Sequence, residues 1–211
     1  MADAPGIYVL AGTNGAGKSS IAGAMFRQAG GQYFNPDEAA RLIRARDPGL
    51  SQAQANGAAW RQGVRLLERA IAERRTFAFE TTLGGRTITA SLERALSAGL
   101  EVRVWYIGLS SPELHLARVR ARVARGGHDI PEARIRARYD SGRLNLIRLL
   151  PTLTELRVYD NSAEADPHAG VAPEPRPILR TVRGKVAWSC PLAETPEWAK
   201  PILAAALTRG G

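Results

Sequence analysis

A segment near the start of the chain has the residue types and spacing of a phosphate-binding loop, or P-loop. The letters GTNGAGKS match the pattern G-x-x-x-x-G-K-[ST] at every fixed position. Glycines let the backbone wrap around an anion and turn its N–H groups inward. The lysine neutralises β- and γ-phosphate charge, and the serine hydroxyl reaches Mg²⁺. The predicted nucleotide contacts are Gly12, Thr13, Asn14, Gly15, Ala16, Gly17, Lys18, Ser19 and Ser20, with Ser19 as the metal ligand.

A first candidate for a catalytic carboxylate is Asp37, which follows the short apolar pair Tyr33 and Phe34. In a doubly wound sheet, the carboxyl end of such a strand lies on the ligand side. Asp37 could therefore accept the proton of a hydroxyl group that receives phosphate. The alternative is that Asp37 caps a helix after Pro36.

A second candidate is Glu80, at the end of the apolar run FAFE. Acids in buried strands are rare unless they are paired. Glu80 either holds the phosphate acceptor or a metal-bound water, or forms a structural pair with a nearby arginine. Thr81 and Thr82 follow it, and they are either hydrogen-bonding partners of the acceptor or ordinary strand residues.

Arginines recur on two consecutive predicted helices, with Gly126, Gly127 and His128 between them as a possible hinge. Like charges on one helix face repel, so a polyanion between the helices relieves that cost. We therefore predict a lid over residues 118–140 that closes on the transferring phosphate; the alternative is a solvated basic face. The arginines that share a face are Arg118, Arg122 and Arg125 on the first helix, and Arg134 and Arg138 on the second.

Apolar runs alternate with helical patterns along the chain, which indicates an α/β fold. We predict a P-loop NTPase-like three-layer sandwich with a mainly parallel central sheet, an arginine-bearing helical lid and a C-terminal hairpin plus helix. The whole chain, 1–211, is predicted to be one domain, with the hairpin and last helix in 163–211. Strands are expected at 7–11, 33–34, 76–81, 101–109 and 157–159, and a hairpin at 178–189. Helices are expected at 18–29, 51–75, 87–98, 112–124, 129–150 and 195–207, with 163–177 as a surface loop.

Two of these helices carry specific expectations. In the helix over 51–75, Trp60, Val64, Leu67 and Ile71 recur at i, i+4, i+7 and i+11, which is the spacing of an amphipathic helix. The helix over 129–150 is expected to begin with Asp129 as its N-cap, because a proline and an acid follow at the right distances.

The net charge is +9 and only Lys18, Lys185 and Lys200 are lysines, so arginine supplies most of the positive charge. Arginine suits polyanions such as nucleotides, nucleotide sugars or nucleic acid. Aromatic residues make up only 6% of the chain, which disfavours nucleic acid because few bases could be stacked. No long apolar run or signal peptide is evident, and Cys190 has no cysteine partner, so a cytoplasmic protein without a membrane span is expected.

The P-loop alone does not identify a reaction, because it serves kinases, GTPases, transporters and motors. The sequence has no N-K-x-D segment, which GTPases use to bind guanine. Transporter ATPases need an LSGGQ-like segment and a strand that ends in an acidic motif. Leu83-Gly84-Gly85 resembles the first only weakly, and no strand ends in an Asp-Glu pair. A small P-loop kinase needs only a base near the acceptor hydroxyl and mobile arginines. A small-molecule kinase is therefore the leading prediction, with a nucleic-acid-associated ATPase as the alternative.

The segments AGTNGAGKSS, NPDE, FAFETTL, GGHDIPEARIRARYD and VYDNS occur in this order. In this combination the chain resembles the zeta-toxin family of P-loop kinases, in particular the branch once labelled predicted ABC-type ATPases. The resemblance covers about residues 6–162. It implies a kinase that depends on ATP and Mg²⁺ and phosphorylates the amino sugar of UDP-N-acetylglucosamine. It also implies a small antitoxin protein as a partner; other nucleotide or sugar acceptors remain open.

The resemblance also implies roles for individual residues. Lys18 and Ser19 hold phosphate and metal, and Asp37 is the catalytic base. Glu80 and Thr81 match the segment that lines the acceptor side. Matches to the remaining family positions are Arg122 and Arg138 as lid arginines, Arg118 as a third, and Asn161 in the loop on the adenine side.

Overall fold

A seven-stranded sheet forms the centre of the protein, whose computed structural model describes residues 5–18, 32–163 and 174–208. Six α-helices of these residues accompany it. The strands are β1 (Gly6–Ala11), β2 (Gln32–Phe34), β3 (Phe77–Thr81), β4 (Glu101–Gly108), β5 (Glu155–Asp160), β6 (Arg176–Val182) and β7 (Lys185–Ser189). The helices are α1 (Pro36–Arg46), α2 (Gln52–Ala72), α3 (Arg86–Ser97), α4 (Pro112–Ala124), α5 (Glu132–Leu149) and α6 (Lys200–Leu207).

The strands lie in the order β2-β3-β1-β4-β5-β6-β7. The first five run parallel, and β6 and β7 are antiparallel to their neighbours. Parallel neighbours need long crossover connections, which helices supply. The predicted α/β fold with a mainly parallel sheet is therefore confirmed. The hairpin turns at Arg183 and Gly184, where it was predicted, and extends one edge of the sheet.

The carboxyl ends of the central strands meet at one edge of the sheet. Ala11 at the end of β1 lies opposite Thr81 of β3 and Tyr106 of β4. The N–H of Gly12 donates a hydrogen bond to the carbonyl of Thr81 at 3.2 Å. The glycine-rich loop and the segment after β3 therefore share the edge where ligands bind in open α/β sheets.

The core lies around the central strands, and all six residues of β1 are buried. One hydrophobic cluster joins the sheet to the helices through Leu67 of α2, Leu92 of α3, Leu146 of α5 and Ile202 of α6. Burying a side chain of this size contributes about 1.5–3 kcal/mol. This core holds the strand ends that carry the candidate site. Within the described residues, no helix is long and apolar enough to cross a membrane.

Two predicted helix starts are wrong, and a proline explains each. The N-cap of α5 is Pro131 and not Asp129, whose carboxylate instead accepts the N–H of Ile130 at 2.8 Å. The last helix begins at Lys200 and not at Thr195, which is extended with ψ 121°. A residue that precedes a proline is disfavoured in the helical region, and both Ile130 and Thr195 precede one.

Some predictions concern residues that the structure describes only in part. The helix predicted at 18–29 lies outside the described residues except for Lys18 at its start. Ser19 and Ser20, and with them the predicted metal ligand, also lie outside. Of the loop predicted at 163–177, residues 164–173 are not described, and β6 already begins at Arg176.

Candidate functional site

The glycine-rich loop has a backbone that few other residues could adopt. Gly12, Gly15 and Gly17 have φ values of 145°, 86° and 82°. A Cβ atom at Gly12 would lie 2.2 Å from the carbonyl oxygen of Ile107, and one at Gly15 would lie 2.7 Å from that of His115. Both contacts are shorter than real Cβ contacts, so the loop is packed directly against β4 and α4. The conformation is that of a loop with its N–H groups turned toward an anion.

Lys18 places a half-buried ammonium group within this loop. Its Nζ donates a hydrogen bond to the carbonyl of Gly12 at 2.8 Å. Burial lowers the pKa of Lys18, and the carboxylates of Glu80 and Asp37 act in the opposite direction. A desolvated ammonium group attracts an anion more strongly than an exposed one. The loop therefore suits a phosphate group.

Arg138 connects the second helix of the predicted lid to the loop. Its Nη1 donates to Oδ1 of Asn14 at 2.8 Å. Burial lowers the pKa of Arg138, the charge of Arg134 acts in the same direction, and Asp37 opposes both. A guanidinium stays protonated all the same, so Arg138 supplies a fixed positive charge beside the loop.

Asp37 lies in the first turn of α1, but it does not cap this helix. The cap is Asn35, whose Oδ1 accepts the N–H groups of Asp37 at 2.9 Å and Glu38 at 3.2 Å. The carboxylate of Asp37 lies 3.6 Å from Nη1 of Arg122 and 3.8 Å from Nε2 of His128. The capping alternative for Asp37 is therefore wrong, and its carboxylate faces two residues of the predicted lid.

Glu80 is buried, with 8% of its surface exposed, and it accepts hydrogen bonds from neutral groups. The hydroxyl of Tyr33 donates to Oε1 at 2.5 Å, and Nδ2 of Asn35 donates to the same atom at 3.3 Å. Burial and then the bond to Glu80 raise the pKa of Tyr33, which keeps this hydroxyl protonated as a donor. The partners of Glu80 are thus Tyr33 and Asn35 and not the predicted arginine. Because Asn35 also caps α1, one side chain links Glu80 to the backbone of Asp37.

The arginines of α4 have separate partners. Arg122 donates to the carbonyl of His128 at 3.0 Å, and its Nε is buried without a partner among the described residues. Arg118 donates to the carbonyl of Ala163 at 3.1 Å. Arg125 is exposed at the end of α4. Burying a donor without an acceptor is costly, and Arg122 carries this cost beside the carboxylate of Asp37.

Asn161 and Thr81 stabilise the backbone of the site through hydrogen bonds that could not be predicted from their positions in the sequence. Nδ2 of Asn161 donates to the carbonyl of Ala16 at 2.9 Å, so this side chain supports the glycine-rich loop itself. Oγ1 of Thr81 accepts the N–H of Leu83 at 3.0 Å. This bond stabilises the turn after β3, where Leu83 has an unusual φ of 55°.

Some of these groups border one cavity of about 450 Å³, whereas Lys18, Arg118, Arg122 and Asn161 are not among its lining residues. Its walls come from the glycine-rich loop, the ends of β2 and β3, the first turns of α1 and α3, the middle of α2 and the start of the second lid helix. Its size is typical of a small-molecule site. The predicted site residues among its lining are Asn14, Asp37, Glu80, Thr81, Thr82 and Arg138.

A family model described as an AAA domain matches residues 7–141, which is more than half of the chain. This chain belongs to the AAA domain family. An uncharacterized protein of Haemophilus influenzae is 36% identical over 129 residues, which cover 61% of this chain and 88% of that protein. The family match over residues 7–141 includes the glycine-rich loop, Asp37, Glu80 and α4.

Solved structures similar to this AAA domain include the AvrRxo1-ORF1:-ORF2 complex and the PezAT system. The AvrRxo1-ORF1:-ORF2 complex with ATP has a TM-score of 0.67 at 17% identity and is matched over 96% of this chain. This chain spans 64% of the length of that AvrRxo1 chain. The PezAT toxin–antitoxin system of Streptococcus pneumoniae has a TM-score of 0.54 at 17% identity, over 75% of this chain and 69% of that one. At this identity the likeness shows the fold alone, an α/β fold with a mainly parallel central sheet.

His115 of this AAA domain is a site residue that motif spacing does not indicate. It is buried on α4, and its Nδ1 lies 2.9 Å from the carbonyl oxygen of Asn14. A carbonyl only accepts, so Nδ1 carries the proton and donates to the glycine-rich loop. Burial lowers the pKa of His115 to about 4, and its bond to Asn14 opposes the shift. The sequence gives only a weak indication that His115 is buried, which is its position beside Leu116 and one helical turn before Val119.

The lowered pKa of His115 predicts a loss of stability in mild acid. Between pH 6.5 and about 4 the folded protein keeps His115 neutral while the unfolded chain binds a proton. The unfolded state then holds more protons, so stability falls as the pH falls through this window, by about 3 kcal/mol at most. His115→Asn retains a donor near the position of Nδ1 and removes the titration. We expect urea unfolding to be less dependent on pH in this window for His115→Asn than for the wild type.

His128→Asn is the matched control for this experiment, because it removes a less buried histidine of the same region. It should leave the pH dependence of unfolding close to that of the wild type. An identical slope for the wild type and His115→Asn would contradict the assignment.

Proposed function

We propose that this AAA domain is a kinase that depends on ATP and Mg²⁺ and phosphorylates a hydroxyl group of a nucleotide sugar such as UDP-N-acetylglucosamine. One observation carries the proposal. The carboxylate of Asp37 borders the same cavity as the glycine-rich loop. Arg122 of the predicted lid contacts Asp37, and Arg138 contacts Asn14 of the loop. A carboxylate opposite a phosphate-binding loop is the arrangement that phosphoryl transfer to an alcohol requires.

In the proposed reaction, the residues of this chain have separate tasks. Asp37 accepts the proton of the acceptor hydroxyl while the oxygen of that hydroxyl forms a bond to the γ-phosphorus of ATP. The bond from that phosphorus to the β–γ bridging oxygen breaks, and ADP leaves with the electron pair. Lys18, Arg122 and Arg138 stabilise the negative charge of the transferred group. The contact of Asp37 with Arg122 must loosen before the acceptor hydroxyl can donate its proton to Asp37, because Arg122 lies 3.6 Å from that carboxylate.

The residues around the cavity fit a hard divalent cation. Mg²⁺ prefers oxygen ligands and usually keeps several waters. The carboxylates of Asp37 and Glu80 line the cavity, and the hydroxyl of Ser19 is the predicted direct ligand. When bound, Mg²⁺ neutralises charge on the β- and γ-phosphates.

A nucleotide-sugar acceptor is supported by the size and polarity of the cavity as well as by the zeta-toxin resemblance. The cavity is lined by the cationic Arg134 and Arg138 together with the apolar Phe34 and Phe79. Such a lining suits a molecule that carries both phosphates and rings. Arg118 and Asn161 are proposed for the ATP side, because both lie near the chain that follows β5. The partner proposed for a toxin of this kind is a small antitoxin protein, in the cytoplasm.

An acceptor screen tests the proposal directly. The protein is incubated with ATP, Mg²⁺ and a panel of UDP-sugars, nucleotides and free sugars, and the products are weighed by mass spectrometry. We expect one acceptor of the nucleotide-sugar class to gain a single phosphate, and Asp37→Asn to abolish that product. If no acceptor gains phosphate while a polynucleotide stimulates ATP hydrolysis, the protein is instead a nucleic-acid-associated ATPase.

A further inference from the structure

Trp60 is a large aromatic residue that the core does not use. It lies in the middle of α2, and 49% of its surface is exposed. The helical spacing groups it with Leu67, which is fully buried. Trp60 instead lines the cavity that borders the glycine-rich loop and Asp37. The exposed part of this ring contributes nothing to core packing, so its position at the cavity indicates a surface for contact with a ligand.

The way α2 packs explains why Trp60 is left at the cavity. Gly63 lies one turn after Trp60, and a Cβ atom there would be 2.7 Å from the ring of Phe34. The ring of Phe34 therefore packs directly on the backbone of α2 and occupies the space beneath this face. Asn56, Trp60, Gly63 and Val64 share the face by helical spacing, and all four line the cavity.

The part of the lining that comes from α5 and the segment before it has a different chemistry. Arg138 contacts Asn14 of the glycine-rich loop, and His128 lies next to Asp37. Apolar side chains line the cavity from several elements, among them Trp60 of α2, Phe34 of β2 and Ile88 of α3. A ligand that fills this cavity has one part that is anionic or reacts at the loop, and another part that presents a flat or apolar face to Trp60.

We propose that Trp60 determines acceptor specificity by stacking on a ring of the acceptor, either a nucleobase or the apolar face of a sugar. This inference rests on the proposed kinase function. Indole rings offer a wide apolar surface at a low cost in conformational entropy, since only two side-chain torsions are restricted. Trp60 borders the reacting groups without being one of them, so it acts on binding and not on the transfer step.

Kinetics of Trp60→Ala test the inference. With UDP-N-acetylglucosamine as acceptor, we expect the KM for the acceptor to rise about tenfold or more, as for the loss of one stacked ring. The kcat and the KM for ATP should stay within about twofold of the wild type. Trp60→Phe keeps a ring and should restore most of the acceptor affinity, which a merely structural role would not predict. Trp188→Ala is the control, because Trp188 is 47% exposed on β7 at the far edge of the sheet.

Fluorescence identifies which ring stacks. Trp105 and Trp198 are buried, so quenching by added ligand reports mainly on Trp60 and Trp188. UDP probes the base, and N-acetylglucosamine 1-phosphate probes the sugar. We expect one of the two probes, or the whole UDP-N-acetylglucosamine, to quench the wild type and Trp188→Phe but not Trp60→Phe.

The outcomes separate this inference from the proposed function. Product formation with an unchanged acceptor KM in Trp60→Ala overturns the role of Trp60 and leaves the kinase proposal intact. Quenching that depends on Trp60 without any phosphorylated product supports the stacking wall and contradicts transfer to this acceptor. If there is neither product nor quenching, both proposals fail for nucleotide sugars.

Discussion

Asp37→Asn is expected to bind ATP as tightly as the wild type and to transfer its phosphate at least about a hundred times more slowly, the usual range for loss of a general base being about 10²–10⁴. The substitution keeps the size of the side chain and its place in the first turn of α1, where Asn35 and not Asp37 provides the cap. It removes only the ability to take up a proton. The measurement is kcat with a saturating acceptor, together with the dissociation constant for ATP from calorimetry.

Glu38→Gln is the matched control for this substitution. Glu38 lies next to Asp37 in the same helical turn, is exposed, and does not line the cavity. It should retain the kcat of the wild type. If Asp37→Asn keeps substantial transfer while Glu80→Gln loses it, the base is Glu80, and the bonds from Tyr33 and Asn35 orient the catalytic group itself.

Lys18→Met is expected to lose about a hundredfold or more in kcat, because a positive charge directed at the transferring phosphate is removed. The same substitution should not destabilise the folded protein, although it lowers kcat. Burial lowers the pKa of Lys18, so the ammonium is less stable in the folded protein than in the unfolded chain. Methionine fills the same space without that cost. We therefore expect the melting temperature without nucleotide to be unchanged or higher.

Lys185→Met provides the comparison for Lys18→Met, because Lys185 is exposed at the start of β7 and remote from the glycine-rich loop. Both activity and ATP-induced stabilisation should persist in it. ATP should raise the melting temperature of the wild type and of Lys185→Met but not of Lys18→Met, since a ligand stabilises only the state that binds it. Stabilisation by ATP of Lys18→Met equal to that of the wild type would contradict the role of Lys18.

Local patterns were enough to predict most of the fold. The apolar runs at β1, β3 and β4 are buried strands, and α4 spans Pro112–Ala124 as predicted, with Ser111 as its N-cap. The helix α1 was not among the predicted helices and entered only as the alternative for Asp37. The two wrong helix starts arose where proline acts against another signal. Asp129 has the residue type of an N-cap, but the torsions required before Pro131 prevent Ile130 from continuing a helix.

The side-chain partners in the site could not be predicted from spacing. An arginine pair was the structural alternative considered for Glu80, yet the groups that reach it are Tyr33 from the neighbouring strand and Asn35 from the loop after it. His115 is separated from Asn14 by 101 positions and contacts it only because α4 packs across the glycine-rich loop. Trp60 follows the helical period of Leu67 but is half exposed, since the period does not reveal that Phe34 occupies the space at Gly63.

A crystal structure with a nonhydrolysable ATP analogue, Mg²⁺ and UDP-N-acetylglucosamine would test the central claim most directly. The measurement is the distance from the carboxylate of Asp37 to the nearest sugar hydroxyl. We expect about 2.6–3.2 Å, with that hydroxyl in line with the γ-phosphate and Lys18 on the phosphate oxygens. An acceptor hydroxyl beyond reach of Asp37, with Asp37 still held by Arg122 and His128, would contradict the account.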